Sequence, residues 1–320
     1  MATLLIDEFV DAHCGVQPHS LHDYESDIPR WCKGCGDHGV LSAIQRLLLE
    51  HQADPETVVA VSGIGCSSRL PHYLKTYGFH GIHGRALPIA LGVTLGRPDL
   101  KVLAVMGDGD CFSIGGGHWL HTLRYNPNLL VIVLDNEVYA LTKNQASPTT
   151  HSGVKTNTTP RGSYLEGLNP LSVILGVTNI SFLAQSATWL PVHMETTLRK
   201  AWTHRGMAFV RILQRCPVFM PDAFGADGTV FPAVFLEHPD GIPVQKGVLK
   251  TAPTLAHDFH DLEAARKAAT QTRGAPMGLI YANPEVPVYG DLRRTKIREL
   301  DRGVFAQEMN SLLDKYAVQG

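Results

Sequence analysis

Two stretches of the chain decide its fold. Residues 101–110 read KVLAVMGDGD, and residues 129–139 read LLVIVLDNEVY. Each stretch begins with a short apolar run rich in β-branched residues, which is typical of a buried strand. Each then passes into glycine, aspartate or asparagine, which favour the turns that follow strands. We therefore predict two buried parallel strands that end side by side.

Polar residues follow both predicted strands. Asp108 comes after the first strand and Asn136 after the second. The carboxyl edge of a parallel sheet is where open α/β folds bind ligands. There, the Asp108 carboxylate, the Asn136 amide oxygen and a nearby backbone carbonyl would give the oxygen ligands that Mg²⁺ prefers alongside phosphates. The pattern indicates a diphosphate and divalent-metal site, although Gly-Asp-Gly alone is also typical of an ordinary turn.

Strand and helix patterns alternate along the first two thirds of the chain. Helical spacing occurs at residues 40–48, 86–95, 115–124 and 191–202, and strand patterns occur at 58–61, 101–106, 129–134, 180–184 and 209–213. This alternation predicts an α/β fold with a doubly wound parallel sheet. Residues 147–162 are rich in Thr, Ser, Gly and Pro, so we expect a long functional loop directly after the metal ligands.

The pattern changes from residue 217 onward. Proline and glycine become frequent through residue 247. Residues 261–270 and 295–316 then show helical patterns around a short predicted strand at 277–281. We expect a C-terminal extension that wraps a partner subunit, with a small autonomous subdomain as the alternative.

Composition excludes several classes of protein. The 320 residues are 44% hydrophobic and 18% charged, as in a soluble globular enzyme. With 28 basic and 30 acidic residues, no strong net charge favours nucleic acid or an anionic membrane. No apolar run is long enough for a membrane span. The N-terminus lacks the apolar core of a signal peptide, so we expect a cytoplasmic protein.

Cysteines form a second candidate site. Cys32 and Cys35 make a C-x-x-C pair beside a glycine turn, whereas Cys66 and Cys216 stand singly and far apart. Such a pair can be a redox dithiol, half of a zinc site or part of an iron-sulfur cluster. A zinc site usually repeats the close pair, so single distant cysteines suit a cluster held by three separate loops. Disulfides are the least favoured reading in a reducing cytosol.

Two further cysteines receive no site role. Cys14 lies in a polar N-terminal segment, and Cys111 directly follows the Gly-Asp-Gly-Asp motif. Cys111 is predicted to be a small buried hydrophobic residue.

Five short motifs occur in one order within residues 29–219. They are WCKGCG at 31–36, GIGCSSR at 63–69, HGRA at 83–86, GDGD at 107–110 and NEVYALTKNQASPT at 136–149. This order resembles the thiamine diphosphate-binding β subunit of the 2-oxoacid:ferredoxin oxidoreductases. Ala140 and Asn144 stand where the family usually has glycine, and Asn is the residue that best tolerates the left-handed conformation after glycine.

The resemblance implies three cofactors. Mg²⁺ would be bound by Asp108, Asn136 and the carbonyl of Val138, and a [4Fe-4S] cluster by Cys32, Cys35, Cys66 and Cys216. Thiamine diphosphate would contact Gly65, Cys66, Ser67, His83, Gly107, Asp108, Gly109, Asp110, Asn136, Val138, Tyr139, Leu141 and Thr142. Residues 29–219 would then form the cofactor domain, preceded by an arm at 1–28 and followed by the extension at 220–320.

The resemblance also implies a reaction and partners. The family decarboxylates a 2-oxoacid oxidatively to an acyl-CoA and passes the electrons through the cluster to ferredoxin, and the reaction can run backwards as reductive carboxylation. No glutamate here matches the one that activates the cofactor's pyrimidine ring. In the family that glutamate comes from an α subunit, so we expect an (αβ)₂ assembly.

Positive charge near the cofactor bears on the choice of substrate. Arg69 and Lys143 are placed to border the pocket, where either could bind a distal carboxylate, and His83 is a third catalytic candidate. Solvation or a local acid partner is the alternative for both cations, and a capping or core role is the alternative for His83. The sequence from Cys66 to Arg85 resembles the 2-oxoglutarate branch, with pyruvate the second choice. A non-catalytic scaffold stapled by zinc is a more distant alternative.

Overall fold

A nine-stranded sheet organises the computed structural model, which describes residues 18–224, 233–244, 252–270, 274–294 and 302–316. Its strands are β1 (Val58–Ser62), β2 (Tyr77–His80), β3 (Lys101–Gly107), β4 (Leu129–Asp135), β7 (Phe182–Ala187), β8 (Met207–Leu213), β9 (Ala233–Glu237), β10 (Thr254–Ala256) and β11 (Ala275–Ala282). Two further strands, β5 (Val138–Tyr139) and β6 (Gln145–Ala146), form a separate hairpin. The order across the sheet is β10-β9-β11-β7-β8-β4-β3-β1-β2, and every adjacent pair is parallel except β11 and β7. The predicted α/β fold with a largely parallel sheet is confirmed.

Helices cover both faces of the sheet. The helices of the described residues span Asp37–Glu50, Ala86–Gly96, Gly116–Tyr125, Pro170–Ile174, Pro191–Thr203, Leu262–Ala269, Tyr289–Arg294 and Arg302–Tyr316, and the described side chains of the last are exposed. In the central strands, alternate side chains enter opposite cores: Ile132 packs with the helices on one face and Val131 with those on the other. Burial on both faces explains why these strands are apolar at almost every position. Among the described residues, no helix is both long and apolar enough to cross a bilayer.

The predicted helices and strands of the first two thirds match the observed ones to within a few residues. The helix predicted around residues 40–48 spans Asp37–Glu50, and the helix predicted at 115–124 spans Gly116–Tyr125. A long loop was expected at residues 147–162, and the observed loop without regular elements is longer, at residues 147–169. The pattern missed β2, an edge strand whose four residues are all exposed and therefore carry no buried face.

The C-terminal part contributes strands to the same sheet. β11 pairs with β7, and β9 and β10 extend the sheet beyond it. Residue 219 therefore does not mark a break in the sheet, and contact of the C-terminal part with a partner remains a prediction. The described part of the predicted helix at 295–316 is Arg302–Tyr316. Most of the predicted arm, including Cys14, lies outside the described residues.

Candidate active site

The Gly-Asp-Gly-Asp motif lies at the carboxyl edge of the sheet. β3 and β4 are paired so that Gly107 lies opposite Leu134. Asp108 and Asn136 therefore leave the sheet at nearly the same level, as the sequence predicts. After Asp108 the chain enters a wide helical turn, Gly109–Ile114, with i→i+5 geometry. Such turns occur often at functional sites.

Asp108 is a buried carboxylate. Only 2% of the residue is exposed, and Asp108 Oδ2 accepts a hydrogen bond of 2.8 Å from the Thr149 hydroxyl. Burial raises the pKa of Asp108, and the nearby charge of Asp135 raises it further. A divalent cation beside this carboxylate would stabilise its ionised form. The Asp108 carboxylate is therefore suited to bind a divalent metal ion.

Asp135 lies beside Asp108, and Arg211 neutralises its charge. Arg211 donates to Asp135 Oδ2 from Nη2 at 2.6 Å and from Nε at 2.8 Å. Arg211 also donates from Nη1 to Gln185 Oε1 at 3.0 Å. Sequence reasoning missed this pair, although an arginine within the apolar strand FVRIL was a signal, since a buried cation needs a partner.

The β5–β6 hairpin covers the motif. Asn136 Oδ1 accepts a bond of 3.2 Å from the Val138 amide, which turns the chain after β4. The Tyr139 hydroxyl donates to the Gly109 carbonyl at 3.1 Å. A Cβ atom at Gly109 would lie 2.1 Å from the Tyr139 ring, so the position requires glycine. Asn144 has φ of 68°, which agrees with the expectation that asparagine replaces glycine there.

Asp110 connects its own turn to two other loops, one at Ile64 and one at His83 and Gly84. Its Oδ1 accepts from the backbone amides of Gly84 at 2.7 Å and Ile64 at 3.3 Å, and it pairs with His83 Nδ1. A Cβ atom at Gly63 would lie 2.0 Å from Asp110 Oδ2. Asp110 was predicted to lie against the diphosphate; the geometry adds that its Oδ1 is used to hold the two loops that border the cleft.

One cleft gathers the predicted cofactor contacts. Its lining includes each of Gly65, Cys66, Ser67, His83, Gly107, Asp108, Gly109, Asp110, Asn136, Val138, Tyr139, Leu141 and Thr142. The sequence did not single out Leu134 and Gln214, which also line it. Residues from four separate loops therefore meet at one place, although their roles toward a cofactor remain predictions.

The four predicted cluster cysteines lie beside this cleft. Burial raises the pKa of Cys66 to about 12, and the charges of Asp37, Cys216 and Cys32 add to the effect. Burial also raises the pKa of Cys35, where Asp37 and Cys66 contribute. Trp31 Nε1 donates to the Cys66 carbonyl at 2.7 Å and so joins the C-x-x-C loop to the Cys66 loop. The thiols of these three loops are thus close enough to interact electrostatically, which fits a shared cluster, because metal binding would relieve the cost of forming thiolates at Cys35 and Cys66.

Two polar atoms near the cysteines lack partners. Asp37 is fully buried, its Oδ2 lies 3.4 Å from Cys35 Sγ, and burial raises its pKa to about 6. Asp37 Oδ1 and Gln214 Oε1 have no hydrogen-bond partner among the described residues. The described residues contain no group of three or more His, Cys, Asp or Glu side chains spaced for a single metal ion.

Comparison with known proteins shows the family of this chain. Residues 58–212 match the family model described as thiamine pyrophosphate enzyme, C-terminal TPP binding domain. A β subunit of 2-oxoacid:ferredoxin oxidoreductase from Sulfolobus sp. is 35% identical over 263 residues, which cover 81% of this chain and 83% of that subunit. The chain belongs to the family of 2-oxoacid:ferredoxin oxidoreductase β subunits.

Two other proteins similar to this chain have 2-oxoglutarate in their names. The 2-oxoglutarate oxidoreductase subunit KorB of Mycobacterium tuberculosis is 47% identical over 211 residues, or 66% of this chain and 56% of that relative. This chain thus matches only about half of that relative's length. A solved 2-oxoglutarate:ferredoxin oxidoreductase from Magnetococcus marinus, with 2-oxoglutarate, coenzyme A and succinyl-CoA bound, superposes with a TM-score of 0.78 at 33% identity and covers 93% of this chain and 97% of the solved one.

The structure places two of the three residues predicted to be catalytic beside the cleft and leaves the third outside it. His83 lines the cofactor cleft, and Arg69 lines a neighbouring cavity that shares Ile64, Gly65 and Leu141 with the cleft. Arg69 Nε donates to the Tyr73 hydroxyl at 2.9 Å. Lys143 is exposed at the tip of the hairpin and lines neither cavity. The structure therefore brings Arg69 and His83 to the border of one site and leaves Lys143 outside the lining.

The cleft contains no glutamate among its lining residues in the described part of the chain. Glu137 follows Asn136 directly and is buried, but its carboxylate pairs with His151 Nε2 at 3.0 Å. That another chain supplies the glutamate remains a prediction drawn from the family.

Proposed function

We propose that this chain is the cofactor-binding β subunit of a 2-oxoglutarate:ferredoxin oxidoreductase. The enzyme would convert 2-oxoglutarate and coenzyme A to succinyl-CoA and CO₂, pass the electrons to ferredoxin, and also run in reverse as a reductive carboxylase. The observation that carries the proposal is that the cleft at the end of β3 and β4 adjoins the four thiols and shares Cys66 with them.

We assign Mg²⁺ to Asp108, Asn136 and the Val138 carbonyl, with thiamine diphosphate in the cleft. The buried Asp108 carboxylate offers a charge for the metal, and glycine at 107 and 109 lets the backbone approach the diphosphate. When bound, the cofactor would supply the carbanion chemistry of decarboxylation. This chain's part is to bind and orient it, and Asp110 keeps the His83 ring at the rim of the cleft through Nδ1.

We assign a [4Fe-4S] cluster to Cys32, Cys35, Cys66 and Cys216. A cluster held by these thiols would accept the electrons singly and deliver them toward ferredoxin. Asp37 places a carboxylate 3.4 Å from Cys35 Sγ, in a position to tune the cluster's potential. Thiolate ligands suit a reducing compartment, so we place the protein in the cytoplasm.

The remaining half of the active site is assigned to an α subunit. The relatives are named as subunits, which supports this assignment. We propose an (αβ)₂ assembly in which residues 29–219 bind the cofactors and residues 220–320 contact the partner.

The choice of 2-oxoglutarate over pyruvate depends on Arg69. Its cavity also contains Arg30, His72 and His80, against a single carboxylate from Asp27. This excess of basic side chains next to the cleft is suited to the distal carboxylate of a dicarboxylic 2-oxoacid. Two relatives whose names specify 2-oxoglutarate support the same choice.

The test is the cofactor content of the chain, purified anaerobically with the subunit that co-elutes. Iron, acid-labile sulfide, zinc and thiamine are measured on one preparation. Iron with matching sulfide and bound thiamine is the expected result. Zinc without sulfide or thiamine would overturn the proposal and favour a scaffold stapled by zinc.

A further inference from the structure

The long loop at 147–169 is fastened to the metal motif by its first residues. Thr149 Oγ1 lies 2.8 Å from Asp108 Oδ2 and 2.8 Å from Asp135 Oδ1. Thr150 Oγ1 donates to the Glu137 carbonyl at 2.6 Å. Both threonines are buried. The loop therefore begins inside the group of residues that follow β3 and β4.

We propose that Thr149 is a positioning residue, which orients the Asp108 carboxylate for the metal and thereby couples occupancy of the metal site to the order of the 147–169 loop. The inference rests on the proposed function, because it takes Asp108 as a metal ligand. Thr149 itself would not touch the metal.

The surroundings of Thr149 suit this role. Its branched side chain has few rotamers, so its hydroxyl stays in place. Asp135, the other carboxylate it contacts, is held by two bonds from Arg211. Thr149 thus connects Asp108 to a carboxylate that cannot turn freely. Partners of this kind orient metal ligands, and their loss typically weakens metal binding by about 10–100-fold.

The same loop reaches the hairpin that covers the cleft. Asn157 donates from its backbone amide to the Asn144 carbonyl at 2.8 Å and from Nδ2 to the Lys143 carbonyl at 2.6 Å. Thr158 Oγ1 accepts from the Ala146 amide at 3.0 Å. A Cβ atom at Gly167 would lie 2.5 Å from the Thr149 carbonyl oxygen, so the end of the loop packs closely against the backbone of Thr149. Release of Thr149 would loosen the loop at the end nearest the metal.

The experiment uses three variants of the purified complex. Thr149→Val keeps the shape of the side chain and removes the hydroxyl, whereas Thr149→Ser keeps the hydroxyl. Thr159→Val is the matched control, because it makes the same change in the same loop at a residue bonded to Thr156 and Val154. After removal of bound ligands with a chelator, the Mg²⁺ affinity is measured at saturating thiamine diphosphate, and hydrogen exchange of residues 147–169 is followed with and without Mg²⁺.

We expect Thr149→Val to weaken Mg²⁺ binding at least about ten-fold and to lose the exchange protection that Mg²⁺ gives the loop. Thr149→Ser and Thr159→Val should keep both properties. Wild-type Mg²⁺ affinity in Thr149→Val would overturn the inference while the proposed function stands. If this variant does not fold, the wild-type exchange experiment still decides, since a loop unaffected by Mg²⁺ contradicts the coupling. A wild-type complex that binds no thiamine diphosphate would overturn the proposed function itself.

Discussion

Arg211 and Asp135 form a buried ion pair directly beneath the metal motif. The two side chains are 12% and 0% exposed, and the shorter of their two contacts, Nη2 to Oδ2, is 2.6 Å. A buried charge is tolerated because its partner is present, and removal of one partner leaves the other uncompensated. The pair therefore supports the geometry of the neighbouring Asp108.

Arg211→Met should lower the free energy of unfolding by about 3–5 kcal/mol, because it leaves the Asp135 carboxylate buried without a cation. Denaturant unfolding of the complex measures the loss. The double variant Arg211→Met with Asp135→Asn is the control and should recover part of the stability. A double variant less stable than the single one would contradict the explanation.

Asp108→Ala and Cys35→Ala should have opposite effects on cofactor content. Asp108→Ala removes the metal-binding carboxylate, so thiamine diphosphate should be lost while iron and sulfide are retained. Cys35→Ala removes a cluster ligand, so iron and sulfide should fall while thiamine diphosphate is retained. Thiamine and iron assays on both variants check this. Unchanged thiamine in Asp108→Ala would show that the metal site is misassigned.

Arg69→Ala should raise KM for 2-oxoglutarate far more than KM for pyruvate, because only the former carries a distal carboxylate for the guanidinium to bind. Steady-state kinetics with both substrates measure the difference. Arg46→Ala is a suitable control, since Arg46 is paired with Glu195 on the surface away from the cleft. Equal changes for both substrates would remove Arg69 from substrate selection.

The bond between His151 and Glu137 should make stability depend on pH. The hydrogen bond to the Glu137 carboxylate raises the pKa of His151 above its usual value of 6.5. A raised histidine pKa means that the protonated form stabilises the folded protein, so the contribution is full below about pH 6.5 and disappears as the pH rises through the higher folded value. Because the His151 side chain is 64% exposed, we expect no more than about 1 kcal/mol.

Comparison of His151→Gln with wild type by denaturant unfolding across this pH range tests the point. The difference in stability should be largest at acidic pH and shrink toward alkaline pH. His121→Gln, a change at an exposed helical residue, serves as the control. A difference that grew with rising pH would have the wrong sign for this bond.

The sequence predicted the centre of the fold well, and the reason is physical. β3 and β4 are buried on both faces, so their apolar runs are unmistakable. The residues that follow them carry the motif within a few positions, and their convergence follows from parallel pairing. The other residues of the cleft lining, such as Gly65 and His83, were named only through the family resemblance.

The parts that sequence did not predict depend on distant contacts. Thr149 meets Asp108 across 41 positions of the chain, and nothing in a serine- and threonine-rich loop marks which hydroxyl will do so. The pairing of Arg211 with Asp135 spans 76 positions. β9 and β10 are short strands at the far edge of the sheet, where periodicity is weak. Arg69 and Lys143 were both expected to border the pocket, but only Arg69 lines a cavity next to the cleft, and Lys143 is exposed.

Cys66 belongs both to the cleft and to the group of four thiols. In the proposed holoenzyme, Cys66 would therefore line the thiamine diphosphate site and also bind the cluster. The electron would pass between two neighbouring cofactors. Both sites would be held by a single polypeptide, in which Asp110 binds the backbone amides of Ile64 and Gly84 beside the cleft. Docking of another subunit could then govern when the reaction starts, while the length of the internal electron step would stay the same in every turnover.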